Sequence, residues 1–180
     1  MRAVPVLFLL GASCAMPGFD TAFDTGPGMA RSCGTGAYLG GGAGTAADPW
    51  LVCAADELSA LVREPAGHFR LGRDLVLDEA LVGFGQDFAG VLDGDGHRLS
   101  GLVLRDEYAG VSLFATVSGA VFDLELERVD VSGGQYTSVL ARHVTGRVEG
   151  VRVSGQVSGH DGFLGGVVGT VGQGGLLRDV

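Results

Sequence analysis

The sequence predicts an all-β fold: a single-stranded parallel β-helix with a short N-terminal capping helix. Three observations carry that expectation. Glycine supplies 33 of the 180 residues, more than twice the usual share, without the three-residue period of collagen. Between the glycines lie short runs of alternating valine or leucine and polar residues, the pattern of strands broken by tight turns. Similar segments then recur at spacings of 22 to 29 residues, the period of a solenoid.

Composition narrows the possible functions. A hydrophobic content of 46% in 180 residues is enough for one domain with its own core. The formal net charge is −9, and all twelve basic residues are arginine. An acidic chain without a basic stripe is a poor partner for nucleic acid and is repelled by anionic membranes. Membrane attachment, if present, must come from something other than charge.

The first residues, MRAVPVLFLLGASC, supply such a route. Arg2 precedes an apolar run from Ala3 to Leu10, too short for the roughly 20 residues of a bilayer span and suited to a secretory signal peptide over residues 1–13. Gly11, Ala12 and Ser13 before Cys14 resemble a bacterial lipobox, although Gly11 stands where leucine is expected and Leu10 is one place early. The resemblance implies lipidation of Cys14 and a membrane-anchored lipoprotein of the outer membrane or cell surface. The alternative is ordinary cleavage near Ala15 and secretion. Residues 14–44, rich in glycine and carrying FDT at Phe19 and again at Phe23, read as a flexible tether, with the FDT pair as a short binding motif the other reading. Cys33 and Cys53 suggest one disulfide in an exported chain; metal binding by the pair is the alternative.

The β-helix domain is expected over 45–180. Trp50 to Val52 reads as a short strand and Ala54 to Arg63 as a helix with Leu58, Leu61 and Val62 on one face and Pro65 past its end. GAVFDLELERVDVSG from Gly119, GRVEGVRVSGQVSG from Gly146 and GLLRDV from Gly175 align at spacings of 27 and 29. VSLFATV from Val111, SVLARHV from Ser138 and GGVVGTV from Gly165 align at 27 and 27. The preceding stretch joins with Leu99 matched to Val121, a spacing of 22. In that register Leu102, Leu124 and Val151 form one inward column and Leu104, Leu126 and Val153 another. It also sets Glu125 beside Arg152 and Arg105 beside Glu127, favourable neighbours across strands. Val180 falls level with Leu124 and Val151 in mid-repeat, so an uncapped C-terminal coil, covered by further chain or by a second copy, is expected.

These segments resemble the GLUG-motif β-helix proteins of bacterial surfaces. The resemblance runs from about Gly44 to Val180, through GTAADPW, DELSAL, HFRLGRDLVL, FAGVLDGDGHRLSGL and GGVVGTVGQGGLLRDV. GGVVG at Gly165 to Gly169 is the best copy of the motif; the copies at Ser112 and Val139 are degenerate, and the strand-corner asparagine of the family is Asp123, Gly150 and Asp179 here. The resemblance implies right-handed coils and a scaffold found in adhesin-like envelope proteins and in appended regions of larger enzymes such as immunoglobulin A peptidases.

No reaction is indicated. DGDGH at Asp93 to His97 departs from an EF-hand loop, which needs Asp or Asn, Gly and Glu where His97, Arg98 and Leu104 stand. Asp and Gly suit a turn, so a structural corner is expected, with weak calcium binding and catalysis as the other readings. His68, His97, His143 and His160 have no ligand spacing; His143 aligns with Thr116 and Thr170, a replaceable position. Polysaccharide lyases and hydrolases share the β-helix and need carboxylates converging on one face. In the inferred columns Asp123 is followed by Gly150 and Glu125 by Arg152, while Asp74, Asp78, Asp87, Asp106, Asp130 and Asp161 stay unplaced. The expectation is a non-enzyme with no catalytic residue, metal or cofactor. Its structural or adhesive role would be toward glycan, surface protein or another copy of itself, and not toward nucleic acid. A polysaccharide-active enzyme, or a fragment of one, is the alternative.

Overall fold

The computed structural model describes residues 33–34, 39–77, 85–160 and 162–180. The expected signal segment 1–13, Cys14 and most of the expected tether, with both FDT copies, lie outside the described residues. The domain from Trp50 onward is a β-solenoid of about four turns, in which every strand pairing among the described residues is parallel. The all-β, parallel β-helix expectation therefore holds.

Among the described residues three sheets run along the solenoid. The first stacks β1 (Trp50–Val52), β2 (His68–Leu71), β4 (Val91–Asp93), β8 (Ala120–Phe122), β11 (Arg147–Glu149) and β14 (Leu176–Arg178). The second stacks β3 (Leu75–Val76), β5 (Arg98–Ser100), β9 (Glu125–Gly133) and β12 (Arg152–Gly159), with β6 (Val103–Arg105) also on β9. The third stacks β7 (Phe114–Val117), β10 (Ala141–Val144) and β13 (Val168–Val171). Glycine explains the entry to the first sheet. A side chain at Gly90, Gly119 or Gly146 would collide with the carbonyl of Gly67, Gly90 or Gly119 in the coil before it, so each coil turns there on a residue without a Cβ.

Stacking makes the core a set of columns. Phe69, Leu92, Val121 and Val148 succeed one another in the first sheet, and Leu75, Leu99 and Leu126 in the second; all seven are buried. Fully burying such a side chain contributes about 1.5–3 kcal/mol. An aromatic series adds to this inside the first coils: Trp50 meets Phe69 at 5.3 Å, Phe69 meets Phe88 at 6.4 Å and Phe88 stacks on Phe114 at 4.9 Å. The expected helix forms as a 3-10 turn over Ala55–Ser59 that continues into α1 (Ala60–Arg63). Glu57 accepts hydrogen bonds from the backbone N–H groups of Cys53 (2.6 Å) and Ala54 (3.1 Å), satisfying donors a helix start leaves open. Leu58, Ala60 and Leu61 turn into the core. Leu39 is buried in the same core, Leu51 donates to the Gly41 carbonyl at 2.9 Å, and Cys33 is disulfide-bonded to Cys53.

The alignments at Gly119, Gly146 and Gly175 and at Val111, Ser138 and Gly165 match the observed pairings. The spacing of 22 for the preceding stretch is corrected. Leu92, not Leu99, lies under Val121; Leu99 lies under Leu126 and Leu104 under Val131. Leu102 therefore does not stack on Leu124. That place is His97, since the Glu125 N–H donates to the His97 carbonyl at 3.2 Å. Leu124 and Val151 do share a column: both are buried, and Arg152 N–H donates to the Leu124 carbonyl. The slip has a physical source. Alternating leucines satisfy several registers, and both coils contain a three-residue step, Leu99 to Leu102 and Leu126 to Val129, centred on left-handed Gly101 (φ +82°) and Arg128 (φ +51°). The next coil lacks one residue there: Val153 pairs with Leu126 and Gly155 with Val129.

Leu126→Ala, in the middle of a column, is expected to lower the unfolding free energy by about 2–5 kcal/mol, and loss of the Cys33–Cys53 disulfide by about 3 kcal/mol. Urea titration of each variant measures both.

Candidate functional site

The corner DGDGH is built by its own backbone. Asp93 Oδ1 accepts the Asp95 N–H at 2.9 Å, and Asp93 Oδ2 takes Arg70 Nε at 2.9 Å. Both carboxylate oxygens are thus engaged, one in a turn and one in an ion pair across coils. Asp95 (φ +50°) and Gly96 (φ +74°) are left-handed, and Gly96 N–H donates to the Asp123 carbonyl of the following coil at 3.0 Å. This is the structural corner expected.

Above that corner the structure departs from the charge pattern inferred for the columns. Asp123 (φ +46°), Gly150 (φ +63°) and Asp179 (φ +51°) occupy the same left-handed turn in successive coils. With Asp95, Glu125 and Arg152 they line an open groove of about 510 Å³. Acids do gather along one line here. Their common cause is conformational, because Asp and Gly are the residues that tolerate this backbone. A Cβ at Gly150 would collide with the Asp123 carboxylate, so a side chain in the middle coil would displace that of Asp123.

The outer face of the second sheet is a ladder of opposite charges. Arg98, Glu125 and Arg152 are register neighbours, so the expected Glu125–Arg152 adjacency holds. Arg98 Nη1 bridges to Glu127 at 2.9 Å and Arg98 Nε to Asp74 at 3.2 Å. The spacing of 22 would set Arg105 beside Glu127. It pairs with Asp130 instead, because the register is 27 and not 22. Of the other unplaced acids, Asp106 accepts the N–H groups of Tyr108 and Ala109 at 2.9 Å each, and Asp87 is exposed. Asp78 and Asp161 lie outside the described residues. On the first sheet Glu149 binds Arg147 (2.9 Å) and Arg178 (3.3 Å), and Arg147 lies over the Phe122 ring at 5.8 Å.

Asp74 sits below the usual carboxylate range. The Arg98 backbone N–H at 3.2 Å is the main cause; desolvation opposes it, and the His97 ring at 3.1 Å and the Arg98 guanidinium add to it. Asp106 is lowered by the Ala109 and Tyr108 N–H groups. The histidines are not brought together. His97 is on Asp74, and His143 Nδ1 meets Thr170 Oγ1 at 2.8 Å, stacked between Thr116 and Thr170 as the alignment requires. His68 is in β2 and His160 is exposed. Among the described residues no group of three or more His, Cys, Asp or Glu has the arrangement to hold a metal ion.

One feature of the surface went unread in the sequence. Tyr136 and Phe163 are exposed and stack at 5.5 Å, and Tyr108 projects from the corresponding turn one coil earlier. The signal was available as an aromatic recurring 28 and 27 residues apart in DEYAG, GQYT and HDGFL.

No family model matches the chain. It is similar to Halomucin of Haloquadratum walsbyi. The two are 37% identical over 94 residues, which is 51% of this chain and 1% of the relative. The chain thus spans about one hundredth of the length of that curated relative. Among solved structures it resembles a Bacteroides ovatus chain provisionally named an immunoglobulin A1 protease, with a TM-score of 0.49 and 19% identity over 78% of this chain and 58% of that one.

A carboxyl lowered in the folded state contributes stability above its unfolded pKa and loses it as pH falls through the folded value. Asp74→Asn removes that contribution. Its urea midpoint is expected to fall less than that of the unaltered protein between pH 7 and pH 3, with the difference confined to the acid side of pH 4.

Proposed function

We propose that this chain is a non-catalytic β-helix scaffold of a cell-envelope lipoprotein, carrying out structural or adhesive work through the sides of its coils. The observation that carries the reading is how its outward charges are used. Asp74, Asp93, Glu127, Asp130 and Glu149 are each held by an arginine, in most cases one from a neighbouring coil. Side chains committed to fixing coil against coil suit a rigid support. The GLUG-like segments support the same reading. So does the stretch shared with Halomucin, a relative named as a mucin, which favours a place outside the cytoplasm. The apolar N-terminal run and Cys14 supply the anchor, in one of the membranes or at the cell surface.

Cys14→Ser is expected to move the protein from the membrane fraction to the soluble fraction; retention in the membrane would remove the lipid anchor. Incubation with acidic and neutral polysaccharides, with and without calcium, is expected to release no reducing ends. Turnover would replace the scaffold with a polysaccharide-active enzyme, and the groove acids Asp95, Asp123, Glu125 and Asp179 would be the first to substitute.

A further inference from the structure

Three successive coils each put an aromatic ring into solvent at the same turn, the one entering the third sheet. Tyr108 is 91% exposed, Tyr136 48% and Phe163 62%. Tyr136 and Phe163 lie in one column, as the neighbouring bridge Thr137–Leu164 requires, and their rings stack with 29° between planes. Tyr108 stands one residue before the matching position. Its turn is held by Asp106, whose carboxylate takes the N–H groups of Tyr108 and Ala109.

One of these rings is held out at a cost. Tyr136 has φ +60°, left-handed backbone that a bulky residue rarely adopts. Glycine, abundant on both sides, would sit there without strain. A strained residue carrying an exposed ring invites a functional explanation. Hydrophobic collapse does not supply one, because the rings face water.

The chemistry of the strip selects a partner. Its turns, DEYAG, GQYT and HDGFL, contain no arginine, and the chain carries −9 overall, so nucleic acid and acidic polysaccharides are disfavoured. Complete burial of three rings, about 150–250 Å² each, falls short of the roughly 800 Å² a side of a stable protein interface. What remains is a ligand that offers small apolar C–H faces to π surfaces and hydroxyl groups to the polar side chains beside them. Glu107, Gln135 and His160 are exposed along the strip and serve as acceptors and donors. We propose that Tyr108, Tyr136 and Phe163 form a binding strip for a neutral polysaccharide chain. The proposal rests on the scaffold reading above and names its partner.

Native electrophoresis of the full chain through gels containing hydroxyethylcellulose, xylan, mannan or alginate tests it. Retardation is expected in at least one neutral gel and not in alginate. Tyr108→Ser, Tyr136→Gly and Phe163→Ser are each expected to weaken it about three- to tenfold, and the triple variant to abolish it. Tyr136→Gly relaxes the left-handed backbone, so its melting temperature is expected to stay level or rise, which separates ring loss from misfolding. Absence of retardation in every neutral gel, retardation by alginate alone, or a triple variant that is folded and still retarded would overturn the strip. Reducing ends are assayed in the same mixtures. Their release would overturn the non-catalytic reading, with the ring variants still deciding the strip.

Discussion

Each coil of this chain is too short to enclose a core, and it gains one only by lying in register on its neighbours. Parallel backbone pairing sets that register, with Leu99 against Leu126 and Val121 against Val148, and the pairing is what delivers the inward leucines and valines to continuous columns. The same constraint fixes what happens outside. Once Arg98 is level with Glu125, its guanidinium reaches Glu127 and Asp74. Stabilisation of this kind is shared between adjacent coils, so an error in one pairing relocates every side chain of that coil.

Much of the architecture was legible because repetition was. Three copies of a motif with apolar residues at alternate places define strands, facing and spacing together, and the alignments from Val111 and Gly119 onward match the observed pairings as far as Val153, where the pairing of β12 on β9 shifts by one residue. Trp50–Val52 was legible as an isolated apolar strand, and α1 from the spacing of Leu58 and Leu61. The register of the DGDGH coil was not. Matching leucines to leucines put Leu102 under Leu124, whereas the residue there is His97, a polar member of an apolar column with Asp74 as its partner. A left-handed step at Gly101 and again at Arg128 interrupts the alternation in both coils and conceals the true spacing further.

The candidate sites divide along the same line. Asp95, Asp123 and Asp179 are visible as corner residues, and the backbone conformation they share accounts for an acidic groove without appeal to a ligand. The aromatic turns differ, because nothing in the fold asks for rings at Tyr108, Tyr136 and Phe163. They leave little mark in the sequence pattern, because the repeat is carried by strands and these residues stand in the turns between them.

The register of the DGDGH coil on β9 tests the account most directly, and engineered disulfides read it. Neighbouring residues on adjacent parallel strands lie about 4.8 Å apart, within the range a disulfide spans. The pair Arg98→Cys with Glu125→Cys is expected to cross-link on mild oxidation, identified by peptide mass, while Val103→Cys with Glu125→Cys is not. Cross-linking of the second pair in preference to the first would restore the spacing of 22 and contradict the stacked columns described above.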